Sequence, residues 1–344
     1  QPRQVSLVLV LYTIAGGLAL GYEVIWTQGI VQFLSTRAYA FTVVLATYLL
    51  GLTLGSWVMS FWCDRIRRPW VVFGSLIAGA GITALASFTL FDVWLLKAQQ
   101  DLGAWVYAHT YSMMAMKLAS FAVAAGVFVL VPTLLLGAAY PLAIRLVART
   151  QHVGEDAGRL TALNTLGGIV GTGLTGFVLV PRLGLVHSMA LLAGVATMLG
   201  AIAILQEAKS PLGKVAVSLG LIGVIVLGGF TPGDAFAQML VLQHPGKLLF
   251  YQESVGNTVA VIEQPTPQGA FHRLYIQGVS NTGDVFPSLR YMRLQALLPL
   301  IIHGGEPKSA LVVGLGSGIT SGSLLAYPDL EERVTFELLP PVVE

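Results

Sequence analysis

Seven times before residue 231 the chain runs almost without charge for long enough to cross a bilayer, at about 20 residues for roughly 30 Å of hydrocarbon. In hydrocarbon a backbone must satisfy its own hydrogen bonds, so such stretches fold as helices or not at all. They cover residues 5–26, 39–61, 70–95, 113–144, 160–180, 185–206 and 212–230. Charged residues make up only 10% of the chain, against about 25% in an ordinary soluble protein. Residues 1–230 therefore read as a multispanning α-helical membrane bundle. The fourth stretch is overlong, and Pro132 and Pro141 predict a kink in it. Gly17 with Gly21, Gly51 with Gly55, and the run Gly167, Gly168, Gly171, Gly173 and Gly176 stand at spacings that let helix backbones approach closely. That pattern predicts helices packed on one another and not a set of separate anchors.

Basic residues in the short loops give an orientation, because Lys and Arg are retained on the cytoplasmic side. Arg3, Arg65, Arg67, Arg68, Arg145, Arg149, Arg159, Lys209 and Lys214 fall on one side, and Arg37, Lys97 and Arg182 on the other. With seven spans this predicts a multi-pass membrane protein with its N-terminus in the cytoplasm and everything after Phe230 outside. One span fewer would reverse the second statement. Glu23, beside Tyr22 and Trp26 in the first stretch, is the functional candidate of the bundle, since an ionisable group in hydrocarbon costs a few kcal/mol. Its plainer reading is a position near the interface or a carboxylate satisfied by a neighbouring helix. Asn164 is expected to hydrogen-bond a neighbouring helix, and Trp94, Trp105, Tyr107 and Tyr111 read as an interfacial aromatic belt.

A net charge of +2, with the basic residues dispersed in loops, gives no footprint for nucleic acid. The single cysteine, Cys63, excludes an internal disulfide and a cysteine-based metal cluster, and His109, His187 and His303 lack metal-ligand spacing. No metal is expected.

The composition changes at residues 231–234, and residues 235–344 read as soluble. Residues 248–252, 258–263 and 271–277 have the short alternating pattern of strands, with turn residues at 256–257 and 265–269 between them. A small antiparallel β-domain with a linking helix at 291–302 is expected over residues 231–305. Residues 306–344 then open a different pattern. A valine-rich run at 310–313 reads as a buried parallel strand and breaks into Gly314, Gly316 and Gly318 before a helix-like segment. Glycines there allow a tight turn and close approach to a ligand, and a succeeding helix offers unpaired N–H groups. Nineteen residues after Gly318, a second strand at 333–336 delivers Glu337, near where nucleotide-binding folds place an acid for ribose hydroxyls. The spacing is G-x-G-x-G, with Ile319 where a dinucleotide fingerprint has its third glycine, which argues against NAD.

The ladder FYQESVGNTVAVIEQ, LYIQGVSNTGD, YMRLQALLPLIIH, ALVVGLGSGITSGSLL and FELLPPVVE resembles the spermidine synthase family, the polyamine aminopropyltransferases, in order and spacing. GYEVIWTQGI and AFTVVLATYLLGLTLGSW extend the likeness to the bacterial branch that joins a multispanning membrane domain to a synthase-like domain. The resemblance implies a small β-domain and then a methyltransferase-like, doubly wound (Rossmann-like) domain that moves the aminopropyl group of decarboxylated S-adenosylmethionine to an amine. It implies that Gly314, Gly316, Ser317 and Gly318 lie against that cofactor or a related nucleoside, that Glu337 binds its ribose, and that Tyr291 and Gln252 are on the substrate side. The family's catalytic acid is expected beyond Glu344, and a two-stranded start to a parallel sheet implies about 100 further residues. Gln1 is likewise expected to come after an earlier stretch. Two residues depart from the pattern: Ser317 stands where the family has an acid, and Arg293 stands where the tyrosine helix has one. Three functions stay open on these residues: a membrane-anchored aminopropyltransferase, an inactive accessory subunit of a larger membrane complex, or an amine transporter with Glu23 as counter-ion. The partners expected are the lipid bilayer, other membrane-protein subunits and an amine.

Overall fold

The computed structural model describes residues 2–32, 37–89, 93–148, 152–207, 211–266 and 269–343. Gln1, Arg149, Lys209 and Glu344 lie outside them. The chain divides into two compact units, Gln1–Ala235 and Phe236–Glu344.

The apolar stretches fold as helices α1 (Pro2–Val31), α2 (Arg37–Trp62), α3 (Pro69–Thr89), α4 (Val93–Thr110), α5 (Met113–Ala125), α6 (Val131–Val147), α7 (Val153–Leu174), α8 (Val180–Glu207) and α9 (Pro211–Phe230). Several of their glycines sit at helix contacts. A Cβ on Gly17 of α1 would come within 2.9 Å of the Gly167 carbonyl oxygen on α7, and Cβ atoms on Gly74 of α3 and Gly200 of α8 would each strike the other's carbonyl. Gly55 and Gly137 meet the opposing backbone in the same way between α2 and α6. Asn164 lies against Gly16 of α1.

Two helices change pitch just before a proline. A π turn at Gly126–Leu130 precedes Pro132, and another at Thr175–Leu179 precedes Pro181. A proline ring crowds the carbonyl four residues back and offers no N–H, and widening the preceding turn relieves both faults. Pro141, expected to add to the kink, stands inside α6, which continues to Val147.

By length and composition five helical stretches are long and apolar enough to cross a membrane, or up to six if Val217–Phe230 and Ala235–Gln243 are counted as one span. The difference from seven has two causes. The expected span at 70–95 qualifies over Pro69–Thr89, but that at 212–230 is counted only jointly with Ala235–Gln243, as a bent pair. The expected spans at 160–180 and 185–206 are counted as one continuous stretch of 55 residues, Val153–Glu207. A straight helix of that length would be about 80 Å long, far more than a bilayer needs. Gly184 breaks it, with φ 78° and ψ 172°, and Thr175 before the break and Leu192 after it both meet Gly21 of α1. The chain therefore doubles back at Gly184.

In the second unit, α10 (Ala235–Gln243) precedes a meander of β1 (Lys247–Ser254), β2 (Asn257–Thr266), β3 (Gly269–Ile276) and β4 (Val279–Gly283), paired antiparallel in that order. Gln277 and Gly278, with φ 50° and 72°, form the tight two-residue link from β3 to β4 that the twist of a hairpin favours. Leu240, Ala260, Ile262 and Tyr275 form its core. Then come α11 (Phe286–Ile302), β5 (Ser309–Val313), α12 (Ile319–Ser323), β6 (Glu332–Phe336) and α13 (Pro340–Val343). β5 and β6 pair in parallel, Ser309 opposite Glu332. Alternation along β5 puts Ala310 and Val312 on the cluster of Ala296, Leu324 and Leu330, while Leu311 and Val313 face away, exposed. Among the described residues the parallel sheet has these two strands, so they do not by themselves make the doubly wound sheet that the sequence leads one to expect.

Candidate functional site

β5 ends in a loop that only glycines fold easily. Gly314, Gly316 and Gly318 have φ of 92°, 57° and 75°, a backbone conformation that residues with a side chain rarely adopt. Gly314 N–H donates to the Phe336 carbonyl (2.7 Å) and Gly318 N–H to that of Leu315 (2.9 Å), so the loop is tied to β6 and closed on itself. A Cβ on Gly314 would meet no atom within 4 Å, which leaves that side of the loop open.

Glu337, the residue after β6, turns its carboxylate into this loop. Oε2 accepts the N–H of Leu315 (2.7 Å) and of Gly316 (3.5 Å), and Oε1 accepts those of Leu338 (2.8 Å) and Leu339 (2.9 Å). Burial works against its charge, but the N–H groups of Leu339, Leu315, Gly316 and Leu338 together hold the carboxyl below its usual range. The N–H groups of Leu315 and Gly316, in the loop before the helix, are thus directed at this carboxylate. The helix beyond them, α12, has only five residues before a 3₁₀ turn at Leu324–Ala326.

Ser317 meets the residues of two other elements. Its Oγ lies 2.9 Å from Thr282 Oγ1 at the end of β4, and both hydroxyls approach Met292 Sδ on α11, at 3.6 Å and 3.0 Å. Gly316, Ser317 and Thr282 line a cavity of about 440 Å³ whose opposite wall is the meander, with Phe250, Val261 and Leu274 as its apolar part. His272 and Asp284 bring charge to that wall. The ring Nδ1 of His272 is 2.8 Å from Asp284 Oδ2, its backbone N–H donates to Oδ1 (2.7 Å), and its Nε2 is 3.5 Å from Glu263. The hydrogen bond to Asp284, with the nearby charges of Asp284 and Glu263, raises the imidazole above its ordinary value. Burial opposes the charge on Asp284, but its bonds from the His272 ring and backbone keep it ionised to lower pH than usual.

The structure brings Gly314, Gly316, Ser317, Gly318 and Glu337 together in one loop. It does not bring Tyr291 or Gln252 into the cavity. Tyr291, on α11, is 61% exposed, and its hydroxyl accepts from Gln295 Nε2 (2.8 Å). Gln252, on β1, has a buried Oε1 without a hydrogen-bond partner. Glu23 belongs to the helical unit, half-buried on α1 within electrostatic reach of Tyr48 on α2. The sequence does not single out His272, Thr282 or Asp284. Its one signal is Asp284 at the close of a strand-like run, which marks a turn as readily as a site. No group of three His, Cys, Asp or Glu side chains placed to hold a metal occurs among the described residues.

No protein-family model matches the chain, and no solved structure matches it. The chain is similar to polyamine aminopropyltransferases 2 and 1 of Ralstonia nicotianae, each 26% identical over 349 residues and 97% of this chain. It is also similar to the polyamine aminopropyltransferase of Mycobacterium tuberculosis, 30% identical over 226 residues and 61% of this chain. It spans 62% and 60% of the length of the two Ralstonia proteins and 41% of the mycobacterial one.

Proposed function

We propose that this chain is a membrane-anchored, polyamine aminopropyltransferase-like protein of a bacterial cytoplasmic membrane, whose helical unit crosses the bilayer and whose second unit binds an adenosyl nucleoside. The observation that carries this reading is the likeness to polyamine aminopropyltransferases along 97% of the chain, apolar helices included. The loop supports it. Gly314, Gly316 and Gly318 leave a surface that a planar, polar ligand can approach, and Glu337 is an acceptor pair of the kind that ribose hydroxyls require.

These residues fit decarboxylated S-adenosylmethionine or a related nucleoside, with Ser317 and Thr282 as neutral partners beside the loop. When bound, that molecule supplies an aminopropyl group on a sulfonium, which leaves readily as a neutral thioether. In the transfer a nitrogen–carbon bond forms to the amine, the carbon–sulfur bond breaks with its electron pair going to sulfur, and the amine gives up a proton. The protein's share is alignment and exclusion of water, because the leaving group is already activated. Glu337 has first to exchange its bonds to Leu315 and Gly316 for bonds to ribose.

The test is calorimetry on the full chain in detergent with decarboxylated S-adenosylmethionine and with 5′-methylthioadenosine, and then an aminopropyl-transfer assay with a diamine. Binding of either nucleoside, lost in Glu337→Ala, is the expected result. No binding of either overturns the reading.

A further inference from the structure

The cavity of about 440 Å³ between the glycine loop and the meander has two unlike parts. Phe250, Val261 and Leu274 from the strands, with Leu289 of α11 and Ile319 of α12, make most of its wall apolar. Charge is confined to one edge, where Asp284 leaves β4 beside His272 of β3. Among the described residues that line the cavity, these two alone are titratable.

Asp284 is fixed in place. Its N–H donates to the His272 carbonyl (3.1 Å), its Oδ1 accepts the His272 N–H (2.7 Å), and its Oδ2 lies 2.8 Å from His272 Nδ1. A carboxylate has about four lone-pair sites, and these bonds take one on each oxygen. The side chain is 44% exposed, so room remains for a further donor. Glu263 touches the imidazole from outside the cavity at 3.5 Å, and Lys247 stands opposite it in the strand register. A cation entering the cavity therefore meets one lining carboxylate, with apolar side chains beyond it.

The acceptor in aminopropyl transfer is an amine, which arrives as an ammonium and is held by its nitrogen. A hydrocarbon body gains by lying on the apolar wall, whereas a second ammonium at its far end would give up water there for no partner. We propose that the cavity takes an acceptor amine with a single ammonium and an apolar body, the ammonium at Asp284 and the body against Phe250, Val261 and Leu274, in preference to a diamine. The inference deepens the transferase reading above and rests on it.

Calorimetry on the full chain in detergent, saturated with 5′-methylthioadenosine and blanked against detergent alone, tests it with hexylamine, hexamethylenediamine and putrescine. Hexylamine and hexamethylenediamine have the same chain and differ only in the second ammonium. Hexylamine should bind about tenfold more tightly than either diamine. Asp284→Asn, which keeps an acceptor for the His272 N–H, should weaken hexylamine about tenfold, and Phe250→Ala should narrow its lead over hexamethylenediamine. A diamine that binds as tightly as hexylamine, or hexylamine binding untouched by Asp284→Asn, overturns the proposal. If 5′-methylthioadenosine does not bind, the nucleoside reading falls instead, and the same three amines titrated without it still decide between a single ammonium and two.

Discussion

The Glu337 carboxylate accepts the Leu315 N–H at 2.7 Å, so the acid that ends β6 holds the loop that ends β5. Four backbone N–H groups converge on it. Glu337→Ala should lower the stability of the second unit by about 1–2 kcal/mol, less than the sum of four bonds because the group is partly exposed. Hydrogen exchange at residues 314–318 reads the local part of that loss. The folded carboxyl titrates below 4.5, so its stabilisation is complete above about pH 4.5 and lost as the pH falls through the lower folded value. Glu337→Gln should remove that pH dependence, and unchanged acid sensitivity in the variant would contradict the assignment.

How much is legible in the sequence depends on how far each feature reaches along the chain. The glycines of the loop are legible because positive φ is a local demand that the residue type announces. Apolar helices are legible because hydrocarbon leaves few alternatives, and their glycines because close backbone approach excludes side chains. The fold at Gly184 shows only as the gap between two apolar stretches, since one residue can reverse a helix without altering composition. His272 and Asp284 cannot be paired from the sequence. They are twelve residues apart, and only the register that sets Arg273 opposite Gly283 makes them neighbours. Ser317 and Thr282, 35 residues apart, meet for the same kind of reason. Resemblance points to Tyr291, and its helix turns it outward instead.

Gly318 has φ 75° and ψ −6°, close to the left-handed region, and caps α12. Alanine there should cost about 1–2 kcal/mol through backbone strain alone, since a Cβ would come no nearer than 4.0 Å to Leu315. Asparagine, whose short polar side chain tolerates that conformation, should cost less, and valine more. Thermal melts of the three variants give the order, and equal losses would show that space, not backbone conformation, controls the position.

His272 sits between two carboxylates, with Asp284 at 2.8 Å and Glu263 at 3.5 Å. Lys247 on β1 stands opposite Glu263 in the strand register. The imidazole is raised above 6.5 chiefly by its bond to Asp284, so ion pairing contributes fully below about pH 6.5 and is lost as the pH rises through the folded value. Tracking the imidazole Cε1–H signal by NMR should place the midpoint above 6.5 in the wild type and return it towards 6.5 in Asp284→Asn. The same midpoint in both would mean that Asp284 does not set it.

The contact of α1 with α7 offers the hardest test of the helical unit. A Cβ on Gly171 would enter the backbone of Gly17, and one on Gly17 would press on the carbonyl of Gly167, so neither helix can give way without moving as a whole. Overfilling such a contact costs about 1–3 kcal/mol where side chains can adjust, and more where only backbones meet. Gly171→Leu should therefore separate α7 from α1 and lower the melting temperature in detergent. Gly173→Leu, two residues along the same helix but with no atom within 4 Å of a Cβ, should leave it nearly unchanged. A Cβ on Gly176 would lie 3.7 Å from Val24 Cγ1 and strike nothing, so cysteines at Val24 and Gly176 report on the same contact without disturbing it. On a Cys63→Ser background they should cross-link in the otherwise wild-type bundle and fail to do so with Gly171→Leu. Efficient cross-linking in both would mean that the helices meet some other way.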